Sequence, residues 1–320
     1  PALTPRFGWR QRLVRISSAS MLESGDIVGG RYRMVAPLAS GGMGTLWRAR
    51  HTELQVDVAI KLMSSEAGGD EGRKRFRLEA QAAARLRSPH IVQVLDFGAS
   101  DEELYLVMEL LEGEDLADRL ARDKTMSFEQ CISIVEGVAK AMEIAHEAGI
   151  VHRDLKPANV FLATAFGVET VKVLDFGIAK DLGATADLGS ITGTGTLGSP
   201  AYMSPEQVWG EPVDASTDIW SLGVVAFEML TGKNPFRHAT VAKMFQAIVQ
   251  GEAPRPSDLR PDLPPGLDAF FERALAHDAT QRFPSVRAFA DALRDALGLS
   301  LIHISEPTRL RRISYAVFCL

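Results

Sequence analysis

Two short stretches carry the side chains best suited to chemistry. His152-Arg153-Asp154-Leu155-Lys156-Pro157-Ala158-Asn159 sets out a carboxylate, then a cation, then an amide within one loop-like segment. Val173-Leu174-Asp175-Phe176-Gly177 adds a second carboxylate just after an apolar run. Asp154 can accept a proton from a hydroxyl, and Lys156 can neutralise a moving phosphoryl group. Asn159 and Asp175 offer hard oxygen donors of the kind that hold magnesium. The set suits phosphoryl transfer from a metal-bound nucleotide.

Such residues act only on a nucleotide that other elements position. Upstream, the patterning gives strands over 31–39, 45–52 and 56–63, with Leu38-Ala39-Ser40-Gly41-Gly42-Met43-Gly44-Thr45-Leu46 between the first two. A Gly-rich turn lets backbone amides approach phosphates with no side chain in the way. A plain Gly-Gly hairpin fits the same letters. The third strand carries Val58-Ala59-Ile60-Lys61, whose lysine either snorkels to solvent or grips a ligand. An amphipathic helix over 70–87 supplies Glu79 as the acidic partner that would fix Lys61. Glu66 and Glu71 compete, but they fall at or before the expected helix start.

Pro89 ends that helix, because the residue before proline is pushed out of helical space. Two more strands, 91–97 and 104–110, follow. The first contains Val94-Leu95-Asp96-Phe97-Gly98, a copy of 173–177, and Asp96 is assigned to a strand end and not to metal. From Glu114 the chain turns helical: 114–124, then 127–148 with Ser127 as cap and Gly149 as stop, and later 218–231, 240–251, 267–277 and 285–297. Short strands are expected at 159–163 and 171–174. The helix opened by Asp218 is apolar nearly all round and should be buried.

Taken in order, the Gly-rich hairpin, strand lysine, helix glutamate, Asp154 loop, Asp175 loop, Ser204-Pro205-Glu206, Asp218 helix and Arg282 resemble a protein kinase of the bacterial serine/threonine type, over about residues 28–297. The resemblance implies an α+β, bilobal protein-kinase-like fold. The small lobe, 28–110, would hold a five-stranded antiparallel sheet and one helix, and the larger lobe, 111–298, would be mainly helical. It implies ATP and Mg2+ as cofactors, with ATP between the lobes. Lys61, fixed by Glu79, would hold the α- and β-phosphates. Asp154, Lys156 and Asn159 would be the catalytic set, and Asn159 and Asp175 the metal ligands. Leu38, Ala39, Ser40, Gly41, Gly42, Met43, Gly44, Leu46 and Ala59 would line the nucleotide. Met108 would stand at the back of the pocket, with Glu109 and Leu111 presenting backbone groups to adenine. Ala39 departs from the family pattern, which wants a first glycine there, but it adds only a methyl.

The same resemblance makes 178–203 an activation segment, with Thr194 and Thr196 the foremost autophosphorylation candidates, then Thr192 and Ser190. A phosphate there could pair with Arg153. Asp218 would cap backbone amides of the Asp154 loop, and Arg282 would pair with Glu206. The partners implied are protein substrates bearing serine or threonine, and a second copy met transiently for trans-autophosphorylation. Lysine at 156 resembles serine/threonine rather than tyrosine kinases. A non-catalytic pseudokinase usually lacks the lysine or one of the two aspartates, and all three stand here. A small-molecule phosphotransferase would not be expected to carry the Ser-Pro-Glu segment or Arg282.

Composition is consistent with this class. In 320 residues the net charge is −6, which argues against a general nucleic-acid or membrane-surface binder. No apolar run reaches the roughly 18–20 residues of a membrane helix. The two cysteines, Cys131 and Cys319, imply no disulfide framework and fit a reducing cytoplasm. Residues 1–27 are read as an extension outside the fold, with Met21 as the natural start. Residues 299–320 are read as a tail foreign to it.

Overall fold

Period-two patterning in the first third of the chain builds one sheet. The computed structural model describes residues 22–41, 44–63, 69–99, 104–176 and 199–299. Strands β1 (Ile27–Val28), β2 (Tyr32–Gly41), β3 (Gly44–His51), β4 (Asp57–Met63), β5 (Val94–Ala99) and β6 (Leu104–Glu109) form a six-stranded sheet in the order β1-β2-β3-β4-β6-β5. Every pairing is antiparallel. The sheet exceeds the five expected strands by β1, two residues that pair with Arg33 and Tyr32 of β2. So short a strand carries too little pattern to be read from sequence. Helix α1 (Gly69–Arg85) lies between β4 and β5 in the chain.

Register decides which side chains can reach the site. Ala39 pairs with Leu46, Leu46 with Lys61, Lys61 with Leu106 and Ala59 with Met108. Cross-strand partners share a face, so these side chains stand on one side of the sheet. On that side Ala59, Leu106 and Met108 pack with Phe76, Ala80 and Ala83 of α1. The other side buries Trp47, Ile60, Tyr105 and Val107. A one-residue slip would turn Lys61 to the wrong face. Gly44 makes the Gly-rich hairpin possible. Its φ is +133°, and a Cβ there would lie 1.9 Å from the Leu62 carbonyl oxygen.

The second lobe is mainly helical. A small sheet of β7 (Gly113–Asp115), β8 (Val160–Ala165) and β9 (Val168–Val173) runs in the order β7-β8-β9. Helices α2 (Leu116–Asp123), α3 (Phe128–Glu147), α4 (Pro205–Trp209), α5 (Ala215–Thr231), α6 (Val241–Gln250), α7 (Pro256–Leu259), α8 (Gly266–Ala274) and α9 (Val286–Ala296) complete it. The expected helix at 114–124 starts later because Asp115 ends β7 and then caps α2 through Asp118 N at 2.8 Å. Ser127 caps α3 in a reciprocal box with Gln130. Helix α5 starts at Ala215 under an Asp214 cap, so Asp218 lies inside its first turn and not at its start. All of α5 except Ala215, Ser216 and Glu228 is buried, which makes it the post around which the lobe packs. Cys131 is a buried free thiol, and burial pushes its pKa up to about 12.

Arg282 fixes the segment before α5. Its guanidinium is fully buried and forks onto Glu206, with Nη1–Oε1 at 2.8 Å and Nη2–Oε2 at 2.9 Å. It also donates to the carbonyls of Ser216, Ala276 and His277. Burial pushes the Glu206 carboxyl up, but hydrogen bonds from Arg282 and Thr217 outweigh it and hold the pKa at about 2. A carboxyl lowered in this way stabilises the fold above its ordinary 4.5, and that stability is lost as pH falls toward about 2. Glu206→Gln, which strands a buried cation, is expected to cost about 3–5 kcal/mol near neutral pH. In urea titrations the gap between wild type and variant should close as pH falls from 4.5 to about 2. A gap independent of pH would mean that the pair is not the source.

Candidate active site

The 151–159 loop hangs from one buried carboxylate. Asp218 is fully buried, and its oxygens accept from His152 N at 2.9 Å, Arg153 N at 2.9 Å and His146 Nε2 at 2.8 Å. Arg153 is held at φ +63°, a left-handed conformation rare outside glycine. His152, itself fully buried, bonds through Nε2 to Leu174 O at 2.8 Å, and its ring packs edge-on to Phe176 at 5.0 Å. One histidine thus ties the Asp154 loop to the strand end that carries Asp175.

The chemistry-bearing side chains meet as their types suggest. Asp154 Oδ2 accepts from Lys156 Nζ at 2.7 Å and from Asn159 Nδ2 at 3.1 Å. Asn159 Nδ2 also donates to the Asp154 carbonyl at 2.8 Å. With its nitrogen spent there, the amide oxygen of Asn159 is the atom left to meet a cation. From the other lobe, Lys61 Nζ lies 2.8 Å from Asp175 Oδ2. Asp175 sits at φ +53°, with its side chain 37 % exposed. Among the described residues no group of three or more His, Cys, Asp or Glu side chains could hold a metal. One carboxylate and one amide oxygen instead suit magnesium, a hard ion that keeps water and phosphate oxygens as its remaining ligands.

The nucleotide-facing candidates fall where the register puts them. Leu38, Ala39 and Leu46 are half-buried on β2 and β3, and Ala59 and Met108 are buried beside them. Met108, Leu106, Val94, Ala83, Phe176 and Asp175 line a small cavity behind this face. Ser40 and Gly41 are placed by backbone only, and Gly42 and Met43 lie outside the described residues. Leu111 is half-buried just past β6, and Glu79 is half-buried on α1 between Phe76 and Ala80, both fully buried. Asp96, in β5, accepts from Tyr32 Oη at 2.7 Å and takes no part in the cleft. Residues 177–198, with Ser190, Thr192, Thr194 and Thr196, lie outside the described residues.

Three contacts were not read from the sequence. Glu109 does more than present backbone. Its carboxylate accepts from Lys172 Nζ at 2.7 Å and Gln93 N at 2.8 Å, and its N–H is spent on Gln93 O at 3.0 Å. Residues 90–92 also bond along β9, with Val92 N to Val173 O at 3.0 Å and Val173 N to His90 O at 2.8 Å. Gln207 Nε2 donates to Arg153 O at 2.8 Å. Apart from Gln93 and Glu109, which are 16 positions apart, each joins residues 54 or more positions apart, so no local spacing could have announced it.

Three comparisons set the chain beside known proteins. The sequence model described as "Protein kinase domain" matches residues 32–293. The chain is 40 % identical over 276 residues to serine/threonine-protein kinase PknA of Mycobacterium tuberculosis, covering 84 % of this chain and 62 % of that protein. It is 37 % identical over 276 residues to serine/threonine-protein kinase pkn3 of Myxococcus xanthus, covering 84 % and 50 %. The crystal structure of the Mycobacterium tuberculosis PknI kinase domain superposes with a TM-score of 0.69 at 32 % identity, covering 86 % of this chain and 100 % of that one. The chain therefore spans 62 % and 50 % of the length of these two curated relatives.

Asp218 gives this site its clearest test. Asp218→Asn sets an amide nitrogen against a backbone N–H, and the stranded donor is expected to cost about 1–3 kcal/mol. The urea midpoint should fall with an unchanged m-value. An unmoved midpoint would show that the loop amides find other partners.

Proposed function

The chain belongs to the protein kinase domain family and carries a catalytic domain of the bacterial serine/threonine type, and on that premise we propose that its cleft moves the γ-phosphoryl group of ATP to serine and threonine hydroxyls of proteins. The observation that carries the reading is the convergence of Lys61 and Asp175 across the lobes with Asp154, Lys156 and Asn159 on one loop.

The contacts of Lys61, Asp154, Lys156 and Asn159 support their roles, and the resemblance supplies the rest. Lys61 leaves Asp175 to grip the α- and β-phosphates, with Glu79 on α1 as the carboxylate that steadies it. Asp175 and the Asn159 oxygen would hold magnesium, which supplies charge neutralisation on the phosphates. Asp154, oriented by Asn159, accepts the proton of the attacking hydroxyl. Lys156, already 2.7 Å from that carboxylate, neutralises charge as it develops on the phosphoryl group. Backbone amides of 41–44 would cover the phosphates, as the resemblance implies. Leu38, Ala39, Leu46, Ala59, Met108 and Leu111 form the apolar bed, with backbone of Glu109 and Leu111 toward the base. Catalysis here is positioning and fixed charge rather than covalent chemistry.

We further infer activation by autophosphorylation within 178–203, between two copies that meet transiently, with Arg153 receiving the new charge. A cytoplasmic setting is part of the same reading. It is supported by the free, buried Cys131.

Asp154→Asn and Lys61→Met are each expected to lower transfer of labelled γ-phosphate to a generic Ser/Thr protein substrate by at least about a hundredfold. Near wild-type transfer in both would sink the assignment. A nucleotide-dependent scaffold would instead bind ATP with no gain in mass. Incubation of wild type with Mg-ATP, followed by mass mapping, should place phosphate on Thr194 or Thr196. An unmodified 187–199 segment would overturn loop-controlled activation.

A further inference from the structure

Arg153, the residue that leads into Asp154, is held from two sides, and only one of them belongs to the buried carboxylate. Arg153 stands at φ +63°, a conformation that persists in a residue with a Cβ only when its surroundings over-determine it. Its N–H is pinned to Asp218 Oδ1 at 2.9 Å. Its carbonyl is pinned by Gln207 Nε2 at 2.8 Å. The Gln207 amide has a second contact, because its Oε1 accepts from Ser204 N at 3.2 Å. That bond is half of the reciprocal cap that starts α4, the other half being Gln207 N to Ser204 Oγ at 3.4 Å. The amide's orientation is fixed by chemistry: Ser204 N can only donate and Arg153 O can only accept.

We propose that Gln207 is a positioning residue that sets the Arg153–Asp154 peptide and couples it to the seating of the 199–204 segment. The inference rests on the reading of Asp154 as the group that accepts the hydroxyl proton. Ser204 is fully buried and lies 3.4 Å from Thr217 Oγ1, so the segment end is fixed to α5. One amide therefore bridges the stretch that ends in Ser204-Pro205-Glu206 and the loop that carries Asp154. When 199–204 is seated, the Arg153 carbonyl is drawn toward Gln207. When it is displaced, that carbonyl loses its donor and the strained peptide can relax.

The two halves of Gln207 can be separated by substitution. Gln207→Glu keeps an acceptor for Ser204 N, and Ser-x-x-Glu is itself a favoured capping box with an anion at a helix start. It loses the donor to Arg153 O and sets a carboxylate oxygen against a carbonyl oxygen. Protonation of that carboxyl at lower pH supplies an O–H donor again. Gln207→Leu removes both functions and serves as the second variant.

The experiment compares wild type, Gln207→Glu and Gln207→Leu by hydrogen exchange and by steady-state kinetics. At pH 7.5, amides 152–155 should exchange about tenfold faster in both variants, while 205–209 stays at the wild-type rate in Gln207→Glu. The kcat for a Ser/Thr peptide should fall about tenfold, with KM for ATP within about twofold. In Gln207→Glu alone, kcat relative to wild type should recover as pH falls below about 6, where a carboxyl facing a carbonyl takes up its proton. A purely structural cap would give no such pH profile. Unchanged exchange at 152–155 in both variants overturns the proposal, as does a kcat loss in Gln207→Glu that is flat with pH. Faster exchange in a protein whose wild type transfers no phosphate would leave the clasp standing and remove the kinase reading instead.

Discussion

A carboxylate buried to zero exposure has to be repaid in hydrogen bonds, and Asp218 is repaid by the loop that carries the site. Its two oxygens take the backbone donors of His152 and Arg153 and a ring nitrogen of His146. Neither party is stable alone. The anion would be stranded in the core, and the Arg153 backbone would have no reason to stay left-handed. Because Asp218 projects from α5, and α5 is buried on nearly every side, the loop inherits the rigidity of the lobe's centre. A carboxylate such as Asp154, for which we propose the task of meeting a hydroxyl in one geometry, needs that kind of support.

The upper half of the site depends on a different constraint, the register of one sheet. Lys61 reaches Asp175 because β4 pairs with β3 and β6 in a phase that puts Leu46, Lys61 and Leu106 on one face. The lobes also meet through more than the connecting chain. Residues 90–92 bond along β9, and Lys172 of β9 clasps Glu109 at the end of β6. β9 leads within two residues to Asp175, so the strand that ends at the cleft is tied to the connector between lobes. Any opening of the cleft must carry these bonds along or break them.

Much of this was legible because the informative residues sit at short spacing. Asp154, Lys156 and Asn159 share one loop, and the Gly-rich hairpin, the strand lysine and the helix caps at Ser127 and Gly149 each carry a local signature. The Asp218 and Arg282 pairings were legible only through resemblance, since nothing local links position 218 to 152 or 282 to 206. What stayed hidden divides into two kinds. Strand β1 is too short for period-two patterning to register. Gln207, Lys172 and the side chain of Glu109 are ordinary polar residues whose partners lie tens of residues away, and their meaning arises only when the fold brings those partners within 3 Å.

The two identical stretches show where local reading stops. Val94-Leu95-Asp96-Phe97-Gly98 and Val173-Leu174-Asp175-Phe176-Gly177 have the same letters. The first lies in β5, where a register shift between Val94 and Asp96 leaves Leu95 exposed. Asp96 spends its oxygens on Tyr32 Oη and Phe97 N, and together with burial that contact pushes the Tyr32 pKa up. Phe97 packs edge-on to Phe76 of α1 at 6.2 Å. In the second, the strand has ended at Val173, Asp175 turns left-handed, and Phe176 is buried against His152. One aspartate is thus an extended strand residue satisfied by its neighbours, and the other is a strained one facing a lysine from the opposite lobe. The letters are common to both. What sets Asp175 apart is the backbone turn after β9 and the cation that β4 delivers to it, so its setting belongs to the register and the loop geometry as much as to the residue.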